Sequence, residues 1–265
     1  MTQAIQFLGK GAIAALVYLG ELAYLALDTV KAFFIGTIKP GRVGRQIVSI
    51  GFGSQLVVIV TGAFTGGVFA AQVYFKFSEL GLESAVGPTV SIAMCRELGP
   101  VLTALMVAGR VGASMAAEIG TMKVTEQVDA MRAMGVHPHD YLVVPRAIGM
   151  LISMPLLIAE ATGFGIAASY LIVVRGFNVP FAWYDTQLRA FTNLEDISIG
   201  MIKGVVFGAI IVMVSCHQGL TAKNGAVGVG KGTTAAVVIA SLAILISNFF
   251  LTFLLNYFFP LGASL

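Results

Sequence analysis

Residues 46–75 contain no Asp, Glu, Lys or Arg. The hydrocarbon core of a bilayer, about 30 Å thick, is crossed by about 20 apolar residues wound as a helix, because lipid offers no partner to backbone polar groups. The pattern recurs over about 88–115, 145–174, 199–222 and 232–259, interrupted in the second run by Arg96, Glu97 and Arg110, in the third by Arg146 and Glu160 and near the start of the fourth by Lys203. Only 11% of the 265 residues are charged, against roughly 25% in soluble domains. The expected fold is an all-α integral membrane protein with five transmembrane helices in one domain, residues 41–265.

The first 40 residues differ. They are apolar, but Lys10, Glu21, Asp28 and Lys31 interrupt them. Glu21, Asp28 and Lys31 share a helical face, which suits an amphipathic helix lying in the membrane interface better than a sixth span. Lys39-Pro40-Gly41 separates it from the first span. The N-terminus has a poor n-region and no clean cleavage site, and reads as mature protein.

Basic residues set the orientation. Lys31, Lys39, Arg42 and Arg45 precede span one, Arg110, Lys123, Arg132 and Arg146 separate spans two and three, and Lys223 and Lys231 separate spans four and five. The opposite loops hold Lys76, Arg175 and Arg189 among the acids Glu79, Glu83, Asp185, Glu195 and Asp196, with Lys203 at the membrane edge. The N-terminus is therefore expected in the cytoplasm and the C-terminus outside, as five spans require. No Lys/Arg run is dense enough to track phosphates, so nucleic acid is excluded as a partner. Cys95 and Cys216 read as small apolar packing groups. Small residues at Gly62/Gly66, Gly109/Ala113 and Gly204/Gly208 have the spacing that brings helices close in lipid. Five spans do not divide into inverted repeats, although a homodimer supplies a second half by symmetry.

Arg96 and Glu97 are the first candidates for chemistry. Ionisable groups at membrane depth face protein or a water-filled cavity. Adjacent helical residues point about 100° apart, so each needs its own partner. Two readings stand: the polar floor of a substrate cavity, or a pin between helices. Glu160, near Pro155 and Gly163, reads as a hydrogen-bonded structural acid. The segment Glu118–Gly135 then carries Ile119, Met122, Val128, Met131 and Met134 beside Lys123, Glu126, Asp129 and Arg132. Thr125 is the expected cap near its start, and Gly135 with Pro138 the expected end. Such a Met-rich helix suits an adaptable partner groove, or else packs on its own domain or on the membrane.

Two patterns carry little. His137-Pro138-His139-Asp140 has metal-ligand residue types but reads as a solvated helix-end loop. Gly225–Thr233, GAVGVGKGT, approaches a phosphate-binding loop, but Gly232 stands where a hydroxyl is needed and an apolar span precedes it instead of a strand. These glycines are expected to form a tight turn between spans four and five. No catalytic residues and no metal site are proposed.

Residues 96–136, RELGPVLTALMVAGRVGASMAAEIGTMKVTEQVDAMRAMGV, resemble the signature region of MlaE-type (YrbE/TTG) ABC transporter permeases. The stretch GAVGVGKGTTAAVVIASLAILISNFFLT is similar to that family's C-terminal motif. The resemblance runs from about residue 40 to 260. It implies an inner-membrane homodimer on a cytoplasmic ABC ATPase (MlaF-like), which binds the ATP and Mg, and beneath a periplasmic MCE protein (MlaD-like). It allows a STAS-type accessory protein (MlaB-like). The implied cargo is phospholipid or another hydrophobic molecule moved between inner and outer membranes. By match, Glu118–Gly135 is the coupling helix, with Glu118, Met122, Glu126, Asp129, Met131 and Met134 toward the ATPase. Arg96 and Glu97 map near the lipid cavity, with Val68, Gln72 and Tyr74 as further lining candidates. The competing functions are an ion- or proton-coupled carrier using Arg96, Glu97 and Glu160, and a membrane scaffold without transport.

Overall fold

The computed structural model describes residues 2–35 and 40–259. Among the described residues every regular element is a helix, and there are no strands. The helices are α1 (Thr2–Ile35), α2 (Pro40–Ser78), α3 (Glu83–Val124), α4 (Gln127–Ala133), α5 (His139–Gly176), α6 (Phe181–Phe191), α7 (Leu194–Leu220) and α8 (Gly225–Phe258). Of these, α2, α3, α5, α7 and α8 are long and apolar enough to cross a membrane. The chain is thus an all-α integral membrane protein with five spans. Lys39, part of the expected break, lies outside the described residues, and α2 opens at Pro40, whose missing N–H costs nothing in a first turn.

The spans outrun the apolar segments that announce them, α3 and α5 among them. α3 has 42 residues and α5 has 38, about 63 and 57 Å at the rise of an α-helix, roughly twice a hydrocarbon core. Hydropathy marks only the lipid-immersed part of each, and both continue as amphipathic helix toward the Lys123 end.

α5 is the central element. α2 runs along it on one side and α7 on the other, and α8 closes against α7 and the last turns of α3. The first contact is close because Gly62 and Gly66 face the backbone of Ala161 and Gly165, where a Cβ would collide. Gly204 and Gly208 receive Ile158, Pro155, Met154 and Met150 of α5 in the same way. Gly109, the other expected contact, faces open space. A large buried cluster around Met150, Met154, Phe207 and Ile211 fills the bundle, and a smaller one around Val86, Val90, Met94 and Tyr184 fills the Lys76 end.

α1 rests on the start of α5 and on α7. Leu25 and Thr29 are buried there. Glu21 and Asp28 turn toward the bundle, where Glu21 meets His217 Nε2 at 2.9 Å and Asp28 meets His139 Nδ1 at 3.2 Å. Lys31 stays exposed. The stretch Gly225–Thr233 is not a turn. Asn224 and Gly225 alone take positive φ, at 64° and 63°, and the following residues are the first turns of α8.

Candidate functional site

The site begins with a defect in α3. Residues Met94–Leu98 form a widened π-type turn, and Pro100 follows. Proline has no N–H, so the carbonyl four residues before it, that of Arg96, loses its helical donor. In lipid such a group must find another partner. Lys203 of α7 supplies it: Nζ lies 2.8 Å from Arg96 O. The same ammonium donates to Glu97 Oε1 at 2.8 Å and to Thr252 Oγ1 at 2.9 Å. All three of its protons are used, and the side chain is fully buried.

Arg96 and Glu97 do have separate partners. Arg96 Nε donates to Asp196 Oδ1 and Nη1 to Asn256 Oδ1, the latter at 2.7 Å. Asp196 also caps α7, its Oδ2 accepting the Asn193 N–H at 2.9 Å. Glu97 Oε1 accepts from Thr252 Oγ1 at 2.9 Å, and Oε2 accepts from Asn248 Nδ2 at 3.0 Å. Two cations and two anions balance across three helices, so no net charge is buried. Within this cluster the side chains of Arg96, Asp196 and Lys203 are closed off, at 8%, 3% and 0% exposure, whereas Glu97 is 37% exposed. Arg96 is therefore built as a pin between α3, α7 and α8, and Glu97 is the charge that opens outward.

Lys203 is buried inside the bundle, and Asp196 is a buried acid of α7 and not a loop acid. Both were misplaced by their position in the sequence, because α7 begins only two residues before Asp196 and carries both inward. Asn248, Thr252 and Asn256 lacked any charge to mark them. Their spacing of four along an otherwise apolar helix is the signal that would have found them.

The remaining candidates fall elsewhere. Glu160 accepts a hydrogen bond from Gln55 Nε2 at 2.7 Å, in a furrow of about 860 Å³ between α2 and α5 flanked by Phe52, Leu156 and Phe164. Val68 and Gln72 are exposed on α2. The Tyr74 ring stacks on Phe177 with centroids 4.1 Å apart.

At the other end α3 continues through a second π-type turn, Ala108–Gly112, to Val124, and the backbone then turns at Glu126, which adopts φ 61°. The expected single helix over 118–135 is therefore two pieces, the tail of α3 and the short α4. Thr125 does not cap α4. Its hydroxyl donates to Thr121 O at 2.8 Å and closes α3. Gly135, at φ 75°, ends α4 as expected, with Val136 N donating to Met131 O at 2.9 Å. Ile119 and Val128 are buried against the bundle, Met122 and Met131 are half-buried, and Met134 stands 71% exposed. Glu118 pairs with buried Arg146 at 2.8 Å. Asp129 bridges Lys123 and Arg132 at 2.9 and 3.1 Å. The Lys123 hydrogen bond, helped by both positive charges, holds the Asp129 carboxyl below its usual range. The exposed groups of this segment include Glu126, Gln127, Met134 and Val136.

A scan of family models matches residues 43–254 to Permease MlaE. The chain is 41% identical to a probable ABC transporter permease protein of Rickettsia typhi over 247 residues, 93% of this chain and 95% of the relative. A probable ABC transporter permease protein of Synechocystis is 41% identical over 236 residues, 85% of this chain and 90% of the relative. The chloroplastic protein Trigalactosyldiacylglycerol 1 of Arabidopsis thaliana is 40% identical over 222 residues, 83% of this chain and 62% of the relative.

Proposed function

This chain belongs to the MlaE permease family and is a multi-pass ABC transporter permease, and on that premise we propose that it moves phospholipids or related hydrophobic molecules between the inner and outer membranes. Energy comes from a separate cytoplasmic ATPase of the MlaF type, which binds the ATP and Mg. A periplasmic MCE protein of the MlaD type receives or delivers the lipid, and a STAS-type subunit of the MlaB type is compatible with the assembly. The N-terminus then lies in the cytoplasm, with α1 in the interface of the inner membrane, and the C-terminus in the periplasm.

The observation that carries this reading is the continuity of α3. One helix holds Glu97 inside the bundle and ends at the hinge from which α4 protrudes. A displacement of α4 by ATP-driven closure of the docked subunits is transmitted along α3 as a rigid rod. It reaches the point where Glu97 is held by Lys203, Asn248 and Thr252. A lipid has a polar head and apolar tails, and a part-open carboxylate among apolar side chains suits both. Beside it, Phe249, Phe250, Phe253 and Leu254 of α8 are exposed, which fits a cavity wall shared with a second copy in a homodimer. The lipid in the name of the Arabidopsis relative supports the same class of cargo. A proton relay through Arg96, Glu97 and Glu160 has no comparable support, since Glu160 bonds to Gln55 and the other two to α7 and α8.

The test is purification of the chain from its native membrane, followed by mass spectrometry of the proteins and lipids that accompany it. An ABC ATPase, an MCE protein and phospholipid are expected. A preparation whose stoichiometric companions include no ATPase overturns the reading.

A further inference from the structure

α6 joins two spans at one level of the bundle. Gly176–Pro180 leads into it from α5, and Thr192-Asn193 leads out into α7. That level is marked by the charges Lys76, Glu79, Glu83 and Arg175 at the adjoining span ends. The helix has three differently built sides. One is fixed to the bundle: Tyr184 is buried, shares a hydrogen bond of 3.2 Å with Ser169, and packs edge-on against Tyr170. A second is polar, with Arg189 Nε donating to Asp185 at 2.9 Å. The third is uncovered and carries Trp183, which is 63% exposed. At the ends of the helix Phe181 is 56% exposed, Phe191 49% and, just beyond, Leu194 81%. Leu80 and Leu82 of the neighbouring turn are exposed as well.

We propose that α6 is a membrane-interface anchor, lying in the headgroup layer with Trp183, Phe191 and Leu194 at the acyl boundary. Water does not suit this many large exposed apolar side chains gathered on and around one short helix that also has a polar side. A bilayer interface suits all three sides at once, because aromatic rings settle at headgroup level while charged groups reach water. Both ends of α6 are tethered within a few residues of a span end, which holds the helix at that depth. The consequence reaches the charged cluster. Leu194 opens α7 and lies two residues before Asp196, which holds Arg96. Anchoring α6 therefore fixes the depth at which α7 starts and the position from which Asp196 reaches α3.

Trp183 is the only tryptophan in the chain, so its fluorescence reports on α6 alone. The full chain is reconstituted into phosphatidylcholine vesicles containing lipids brominated either near the headgroup end or near the tip of the acyl chain. Blue-shifted emission is expected, quenched at least twofold more by the shallow bromines than by the deep ones, and little affected by iodide. In Phe191→Ser/Leu194→Ser the shallow quenching should fall and iodide quenching rise. Emission quenched by iodide and insensitive to brominated lipid places Trp183 in water and overturns the proposal. Emission insensitive to both quenchers places it in a protein contact, with a second copy or another subunit, and overturns it equally.

Discussion

Lys203 is the residue on which the buried cluster turns. It donates to a backbone carbonyl freed by Pro100, to Glu97 and to Thr252. Lys203→Met strands a buried backbone acceptor and a part-open carboxylate together, and losing the partner of such a buried acceptor costs about 1–3 kcal/mol. Urea unfolding in detergent should show that loss, and Lys203→Met/Glu97→Met should recover part of it because the stranded charge is gone. Wild-type unfolding by Lys203→Met would mean that Lys203 is not buried as described. Asp129 makes a different prediction. Its folded carboxyl titrates below its unfolded value, chiefly through the Lys123 hydrogen bond. Its contribution is therefore whole above the ordinary carboxylate range and is lost as pH falls through the lowered folded value. The protection factors of the amides of residues 127–133, taken against the intrinsic exchange rate at each pH, should fall on acidification, and Asp129→Asn should remove that dependence. At this scale the sequence was half legible. A charge inside an apolar run is conspicuous, so Arg96 and Glu97 stood out. Asp196 and Lys203, close to the end of a run, looked like loop and edge residues, and uncharged Asn248, Thr252 and Asn256 raised no flag.

The spans were legible because lipid leaves the backbone one solution, and the apolar runs name it. Their ends were not, since α3 and α5 continue past the apolar stretch on amphipathic sequence. The hinge at Glu126 was also hidden: a non-glycine residue at φ 61° is selected by the packing of Ile119 and Val128, not by its own preference. Two predictions belong to elements. Gly66→Leu drives a side chain into the backbone of Gly165 and should destabilise the α2–α5 contact by about 1–3 kcal/mol or more, whereas Gly109→Ala meets nothing within 4 Å and should be neutral or gain up to about 1 kcal/mol in helix propensity. Equal thermal shifts for the two would remove the close-packing account. For α4, Met134→Asp places a charge on its most exposed apolar residue without touching buried Val128. ATPase copurification should be lost while the chain still folds, and intact copurification would place the docking surface elsewhere.

Across the whole molecule, a polar centre in the bundle and a protruding helix are the two ends of one rod, and α5 holds that rod against α2 and α7. Family membership came from long motifs that match over most of the chain, while the burial of Arg96 and the outward opening of Glu97 came only from the fold. On the proposed function the work divides: Arg96 braces, Glu97 faces the cargo, and α4 takes up the ATPase stroke. The most direct test is transfer of labelled phospholipid from proteoliposomes holding the chain with its ATPase and periplasmic partner, comparing wild type with Glu97→Ala while ATP hydrolysis is followed in parallel. The wild type should transfer lipid only with ATP, and Glu97→Ala should lose at least tenfold in transfer while keeping the ATPase bound and hydrolysing. Transfer by Glu97→Ala at the wild-type rate, or no ATP-dependent transfer by the wild type, would contradict the account.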